Sequence, residues 1–190
     1  MDEVIRVARR PTRRGTVEAC DAAAVVAERA AFWLPLAEDT DRVMTAELAP
    51  GELPMRVSAE DLGACMDILL ENVFAHTPDG AALAIRLSRQ AAGGAWLVVA
   101  DDGPGFPSAD PTERGHSGGG STGLGLDIAR RIAESSGGAL TIGRSASGGG
   151  SVTVGLGPLA GPADGARRHR RARSGPPVYP HASAATTTAS

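Results

Sequence analysis

The sequence predicts an α/β domain, because segments with strand composition alternate with segments of helical periodicity along most of the chain. The chain has 190 residues, of which 42% are hydrophobic. That length suits one domain with a flexible tail better than two full domains. Two glycine-rich segments lie at residues 101–106 and 120–126. The first follows a predicted strand and the second opens a predicted helix, and we expect the loop between them to serve a function.

The N-terminal part predicts a short strand and an Ala-rich helix over residues 16–36. Residues 43–48 and 53–57 have strand composition, and Ala-Pro-Gly-Glu at residues 49–52 is typical of a turn between them. Five residues of the helix recur at helical spacing: Ala24, Val25, Ala27, Glu28 and Phe32.

The clearest helix begins at Ser58. Ser-Ala-Glu-Asp at residues 58–61 is a capping-box pattern, in which Ser58 accepts from an unpaired backbone N–H. We expect this helix to end near Thr77, since Pro78 restricts the residue before it and Asp-Gly favours a turn. Its apolar stripe consists of Leu62, Cys65, Met66, Leu69 and Val73, so Cys65 is interpreted as a small core residue.

The second half predicts two strands, a long loop, a helix and a closing hairpin. The loop at residues 104–120 is long enough to favour a functional role. From residue 161 onward the sequence cannot bury enough apolar surface to form ordered structure, and residues 161–190 are predicted to be a disordered tail. The strands cover residues 81–90 and 95–101, the helix covers 122–136 with Gly137 and Gly138 as its C-cap, and the hairpin covers 139–144 and 151–156.

Composition excludes several classes of function. A net charge of −3 with a pI near 5.8 predicts no nucleic-acid affinity across the chain. All 19 basic residues are Arg, and five of them lie in residues 1–15, which we interpret either as a solvated segment or as the end of a dimerisation helix. Two cysteines make no disulfide framework. Without an apolar run of membrane length or a signal peptide, the chain is expected to be cytoplasmic, which leaves open a membrane anchor on a longer parent protein.

Three features carry chemistry, and the first two have a simpler alternative. A helix-borne Asn72 can give its carbonyl oxygen to Mg²⁺, although an isolated Asn on a helix is more often solvated. Asp101 ends an apolar strand before Gly103 and Gly105, where it is either a ligand-binding carboxylate or a surface turn. Gly-x-Gly at residues 123–125 precedes a helix whose free N–H groups attract phosphate.

In this order, these segments resemble the catalytic ATP-binding domain of sensor histidine kinases. That domain has the GHKL or Bergerat fold, which type II topoisomerases and certain chaperones share. The resemblance covers residues 16–158, and we take the ATP-binding domain as residues 16–160. It implies a two-layer α/β sandwich, with a mixed β-sheet, helices on one face, and ATP between the helices and a lid formed by the loop.

The resemblance also implies ATP and Mg²⁺ as cofactors. Asn72 would hold the metal, Asp101 would bind the adenine amine, and Arg114 would act on the phosphates unless it is only solvated. The residues expected to bind the nucleotide are Asn72, His76, Asp101, Gly103, Gly105, Phe106, Ser121, Thr122, Gly123, Leu124, Gly125 and Leu126.

The departures from the family pattern bear on mechanism. Many relatives carry a second Asn, and the hydrolytic ones a general-base Glu, at the position of Ile68. Ala75 replaces a phosphate-binding Lys, and Thr112 replaces a Phe in the lid. His76 stands where Tyr is common. None of the four histidines lies upstream of Asn72, so the acceptor histidine is expected on a dimerisation domain, in cis on a longer parent or in trans.

The leading hypothesis is therefore the kinase domain of a two-component system, with that dimerisation domain and a response regulator as partners. Two alternatives stay open. One is an anti-sigma-factor serine kinase of the same fold. The other is a degenerate module that binds nucleotide or protein without phosphotransfer, which the departures at Ile68, Ala75 and Thr112 favour.

Overall fold

The computed structural model describes residues 18–106 and 124–159. Within them the chain forms three helices and seven strands, and the predicted two-layer α/β fold with a mixed sheet is confirmed. In chain order the elements are β1 (Cys20–Asp21), α1 (Ala22–Asp39), β2 (Met44–Leu48), β3 (Pro54–Met55), α2 (Ala59–His76), β4 (Leu83–Arg89), β5 (Ala95–Asp101), α3 (Leu124–Ser135), β6 (Leu140–Arg144) and β7 (Gly150–Leu156).

The main sheet has five strands in the order β2-β4-β5-β7-β6. Strands β2 and β4 are parallel, and the other neighbours are antiparallel. Because β5 is the central strand, its backbone pairs on both sides, with Leu83 opposite Asp101 and Ser151 opposite Ala100. Asp101 therefore lies at the end of the central strand, where two loops converge.

Helix α2 matches the prediction in its start, its end and its buried stripe. The Ser58 hydroxyl accepts from the Asp61 N–H at 2.9 Å, as a capping box requires. Thr77 caps the other end and donates its N–H to Val73 O at 3.0 Å. Every residue of the predicted apolar stripe is buried, and they join one hydrophobic core with the sheet.

Helix α1 differs from the prediction in length and in its buried face. It continues through Pro35 to Asp39. Phe32, which we placed on the periodic face, is 64% exposed. The buried residues are instead Ala22, Val26, Ala30 and Ala37. An Ala-rich helix has little contrast between its faces, so packing against α2 decides which small residues are buried.

The two small strands are shorter than their composition suggests. Residues 53–57 were predicted as a strand, but only β3 forms, because its partner β1 offers just two residues, with Cys20 opposite Met55 and Asp21 opposite Pro54. Asp21 also caps α1, since its Oδ1 accepts from Ala23 N at 3.0 Å and from Leu53 N at 2.8 Å. This carboxylate joins the start of α1 to the segment before α2.

In the part of the chain that the structure describes, no helix is long and apolar enough to cross a membrane.

Candidate functional site

Asp101 is buried, with only 8% of its surface exposed, and its two carboxylate oxygens differ. Oδ1 accepts from the backbone N–H groups of Gly103 at 2.9 Å and Gly150 at 3.0 Å. No donor among residues 18–106 and 124–159 bonds Oδ2. A carboxylate held rigidly through one oxygen, with the other free to accept, is suited to bind an amine of a ligand.

Glycines surround this carboxylate closely. A Cβ on Gly150 would lie 2.6 Å from Asp101 Oδ2 and 3.1 Å from Phe106 Cε2. A Cβ on Gly103 would lie 2.9 Å from Asp101 Oδ1. Real Cβ atoms do not approach that closely, so these positions need glycine for the two backbone N–H groups to reach the oxygen.

The loop after β5 and the hairpin between β6 and β7 are joined through side chains as well. The Ser145 hydroxyl donates to Asp101 O at 2.8 Å, and the Ser147 hydroxyl donates to Asp102 Oδ1. Gly105 has a φ of 78°, and a Cβ there would lie 3.0 Å from Gly148 O. The glycine-rich segment at residues 101–106 therefore packs against the 145–150 turn.

Sequence reasoning missed the contribution of this turn. The three glycines at residues 148–150 were visible, but they were interpreted only as a hairpin connection. The N–H of Gly150 completes the bonding of Asp101, and Gly149 leaves room for the Asp101 carbonyl. A run of glycines longer than a two-residue hairpin needs was the available signal.

Asn72 lies on α2 and is half-buried. The described residues provide no hydrogen-bond partner for its side chain. Ile68 precedes it by one turn and His76 follows by one turn, so the three share one side of the helix. His76 is exposed in the last turn. The described residues therefore leave the Asn72 amide oxygen without a donor.

Helix α2 meets the loop after β5 at its C-terminal end. A Cβ on Gly103 would lie 2.5 Å from Thr77 Cγ2, so the Thr77 methyl packs directly on Gly103. Two of the predicted features, the helix that carries Asn72 and the loop that holds Asp101, are therefore brought together by this contact. Phe106 is half-buried and packs against the core beside them.

Gly125 lies in α3, within the range 122–136 that was predicted for this helix. A Cβ on Gly125 would lie 3.3 Å from Ile68 Cγ2, so this glycine permits close packing of α3 on α2. Leu126 packs against the core, whereas Leu124 is 63% exposed.

Other predicted site residues lie outside the described residues. They are Arg114, Ser121, Thr122 and Gly123, together with Thr112 of the proposed lid. Within the described ranges, no three His, Cys, Asp or Glu side chains are grouped so that they could hold a metal ion.

The fold is a two-layer α/β domain with a mixed sheet, and a buried carboxylate lies at the end of its central strand. The sequence of residues 58–159 matches the family model described as "Histidine kinase-, DNA gyrase B-, and HSP90-like ATPase". The match covers more than half of the chain, and the chain belongs to this ATP-binding family. Within the family it resembles the catalytic domains of sensor histidine kinases.

Individual relatives support that placement. The "Sensor protein IrlS" of Burkholderia pseudomallei (strain K96243) is 31% identical over an alignment of 134 residues, and the alignment covers 64% of this chain and 28% of that protein. The chain therefore spans little more than a quarter of this relative.

Among solved structures, the mycobacterial sensor histidine kinase MprB has a TM-score of 0.58 at 25% identity, over 76% of this chain and 100% of that chain. The catalytic domain of histidine kinase ThkA has a TM-score of 0.64 at 16% identity, over 76% and 96%. The histidine kinase domain of the E. coli osmosensor EnvZ has a TM-score of 0.59 at 24% identity, over 84% and 100%. The last two show the shared fold alone.

Proposed function

We propose that this domain binds ATP with Mg²⁺ and transfers the γ-phosphate to a histidine on a separate dimerisation domain. The observation that carries the proposal is the Asp101 carboxylate. Its Oδ1 is occupied by the N–H groups of Gly103 and Gly150, while Oδ2 has no donor among the described residues. Such a group discriminates strongly between ligands that supply an N–H and those that do not.

Asp101 Oδ2 would accept from the exocyclic amine of adenine. The glycines at residues 103 and 150 leave the carboxylate accessible and keep it from rotating. Phe106 supplies apolar surface beside it. A buried acceptor left without its donor costs about 1–3 kcal/mol, and this cost would favour adenine over a base that lacks the amine.

The phosphates would lie between Asn72 and the start of α3. Mg²⁺ keeps several of its waters, so the Asn72 amide oxygen and phosphate oxygens can complete its shell. Bound there, the ion would neutralise charge on the phosphates. The first N–H groups of a helix have no intrahelical acceptor, and those at the start of α3 would donate to phosphate oxygens. The sequence adds His76, Ser121, Thr122, Gly123, Leu124 and Arg114 to this half of the site.

In the transfer step, an unprotonated imidazole nitrogen of the acceptor would attack the γ-phosphorus. The bond to the β–γ bridging oxygen breaks, ADP leaves, and the ring loses its other proton to solvent. The domain contributes position and charge stabilisation rather than covalent chemistry. A response regulator would then receive the phosphoryl group.

Ile68 supports kinase rather than hydrolase chemistry. Hydrolysis needs a group that activates water near the γ-phosphate. Ile68 occupies the side of α2 one turn before Asn72, is half-buried and packs against Gly125. An apolar side chain there can neither orient nor deprotonate a water molecule.

The proposal is tested by supplying the chain with ATP, Mg²⁺ and a purified dimerisation domain that carries an acceptor histidine. We expect acid-labile, base-stable phosphate on that domain and slow hydrolysis without it. The matched control is the same domain with its acceptor histidine replaced by glutamine, which should stay unlabelled. Rapid hydrolysis by the chain alone would contradict the kinase assignment. Tight ATP binding without transfer to any acceptor would support the degenerate binding module instead.

A further inference from the structure

Arg42 lies between α1 and β2, and its side chain is only 1% exposed. Its Nε donates to Thr40 Oγ1 at 3.1 Å, its Nη1 donates to Thr77 Oγ1, and its Nη2 donates to Thr77 O at 2.9 Å. All three guanidinium nitrogens therefore donate to two threonines. These bonds stabilise the buried charge, which would be strongly unfavourable if it were unpaired.

These two threonines are the C-terminal caps of α1 and α2. The carbonyl ends of helices carry partial negative charge, which stabilises a cation placed beside them. The Phe74 ring adds a second favourable contact, with its centroid 4.8 Å from Arg42 Cζ. The nearest carboxylate, Asp79, is 3.5 Å away and 81% exposed, so that ion pair contributes little. Arg42 therefore joins two helix ends rather than a pair of charges.

One of those helix ends touches the candidate site. The Thr77 hydroxyl, which accepts from Arg42, also donates to Val73 O at 2.8 Å. These bonds fix the rotamer of Thr77, and its methyl then packs on Gly103. Gly103 in turn donates its N–H to Asp101 Oδ1. A continuous path of contacts leads from the buried guanidinium to the carboxylate.

We infer that Arg42 is a positioning residue for adenine recognition, acting through the Thr77 methyl on the Gly103–Asp101 turn. The inference rests on the proposed binding of adenine by Asp101. Arg42 itself touches no nucleotide. Its role is to hold the carboxylate in the orientation that an amine donor needs, so its loss should reduce selectivity for the amine.

The test compares binding of ATP and ITP, because ITP has a carbonyl in place of the adenine amine. Loss of folded protein weakens both affinities by the same factor, so their ratio reports positioning and not stability. We expect the unmodified chain to prefer ATP at least tenfold, and Arg42→Met to lower that preference at least fivefold. The measurement is calorimetric titration of each nucleotide.

Arg29→Met is the matched control. Arg29 lies on α1 and bonds a residue of α2, as Arg42 bonds the C-terminal cap of that helix. Its partner is Asp67, at 3.1 Å, and its guanidinium lies over the Phe32 ring rather than at Thr77. The control should leave the ATP-to-ITP ratio unchanged. An equal loss of preference in both variants, or none in Arg42→Met, would overturn the inference.

Thr77→Ser tests the path itself and keeps the experiment decisive if Arg42→Met does not fold. Serine keeps the hydroxyl that accepts from Arg42 and removes the methyl that packs on Gly103. We expect the ATP preference to fall at least threefold. An unchanged ratio would overturn the route through Thr77. If the unmodified chain bound ATP and ITP equally, the adenine role of Asp101 would fail first, which separates that failure from a failure of the Arg42 step.

Discussion

Asp67 and Asp101 are two carboxylates in the packed part of the molecule, and they accept hydrogen bonds from different kinds of donor. Asp67 on α2 accepts through both oxygens from side chains of α1, from Arg29 Nη1 at 3.1 Å and from Trp33 Nε1 at 2.9 Å. Asp101 at the end of β5 accepts through one oxygen only, and both donors are backbone N–H groups of glycines.

By this difference Asp67 is a structural group, and Asp101 is the group that we propose recognises a ligand. The α1–α2 region around Asp67 also stacks Trp33 on Phe74, with ring centroids 5.4 Å apart, so its polar and aromatic contacts are complete within the protein. Around Asp101 the described residues hold Oδ1 through two backbone N–H groups and provide no donor for Oδ2. A fixed group with an acceptor available to a ligand is what the proposed selective site requires.

Replacing each of the two carboxylates with asparagine should show most clearly whether they have different roles. Asp101→Asn keeps Oδ1 and replaces Oδ2 by an NH₂ group, which would face the adenine amine. We expect ATP affinity to fall more than tenfold, from loss of about 1–3 kcal/mol, with little change in thermal stability. Calorimetry and thermal melting measure the two effects.

Asp67→Asn should give the opposite result. Arg29 and Trp33 bond different oxygens of Asp67, and Asn replaces one of these with an NH₂ group, so one donor loses its acceptor. The melting temperature should drop while ATP affinity stays the same. A similar loss of ATP affinity in both variants would mean that the two carboxylates do not differ in role.

Gly150→Ala tests whether the glycines shape the Asp101 site. The added Cβ would lie 2.6 Å from Asp101 Oδ2 and displace it. We expect a loss of about 1–3 kcal/mol in stability, typical of overpacking, and weaker ATP binding. Gly143→Ala in the same hairpin is the control, because a Cβ there meets nothing within 4 Å. Equal effects in the two variants would contradict this role for Gly150.

Asn72→Ala extends the comparison along α2, since Asp67 has partners and Asn72 has none among the described residues. We expect ATP affinity measured with Mg²⁺ to fall severalfold and affinity measured in excess chelator to change little, because only the former uses the amide oxygen. The neighbouring exposed Glu71→Gln should change neither. A parallel fall under both conditions would make Asn72 a structural residue.

Cys65 gives the smallest predicted effect and concerns the core shared by both regions. Burial raises the pKa of Cys65 to about 12, above its ordinary value of 9.0. The stabilisation by the neutral thiol is complete below pH 9 and is lost as the pH rises toward 12. We expect the free energy of unfolding to fall by about 1 kcal/mol between pH 9 and pH 10 from this group.

Urea titrations at the two pH values measure that loss. They are best done in a Cys20→Ser background, because burial, and then Asp21, raise the pKa of Cys20 as well. Adding Cys65→Ala should remove the loss. A slope that persists without the Cys65 thiol would have another origin.

Local patterns predicted most of the elements. The capping box at Ser58 and the stripe from Leu62 to Val73 defined α2 because cap chemistry and a strong apolar period agree over one segment. The strand that ends at Asp101 was predicted equally well. The buried face of α1 was not predicted, since Ala packs well on any side of a helix. The length of β3 was overestimated, because it depends on the partner strand.

The candidate site was also predicted only in part. Asn72, Asp101 and the glycines of residues 103–105 stood out because each carries chemistry or special backbone freedom within a short segment. The roles of Gly125, Gly150 and Arg42 did not, because each depends on contact with residues far along the chain. The site assignments themselves stay predictions until nucleotide binding is measured.

The sequence by itself determined the order of elements, the family and the polar residues that we propose bind a nucleotide, because these depend on local spacing and residue chemistry. Only the tertiary structure decided that Gly150 shares Asp101 Oδ1 with Gly103, that Ile68 packs on Gly125, and that Arg42 reaches the site through Thr77. The physical reason is that hydrogen bonding and close packing act between neighbours in space, and folding brings together residues that no local pattern relates.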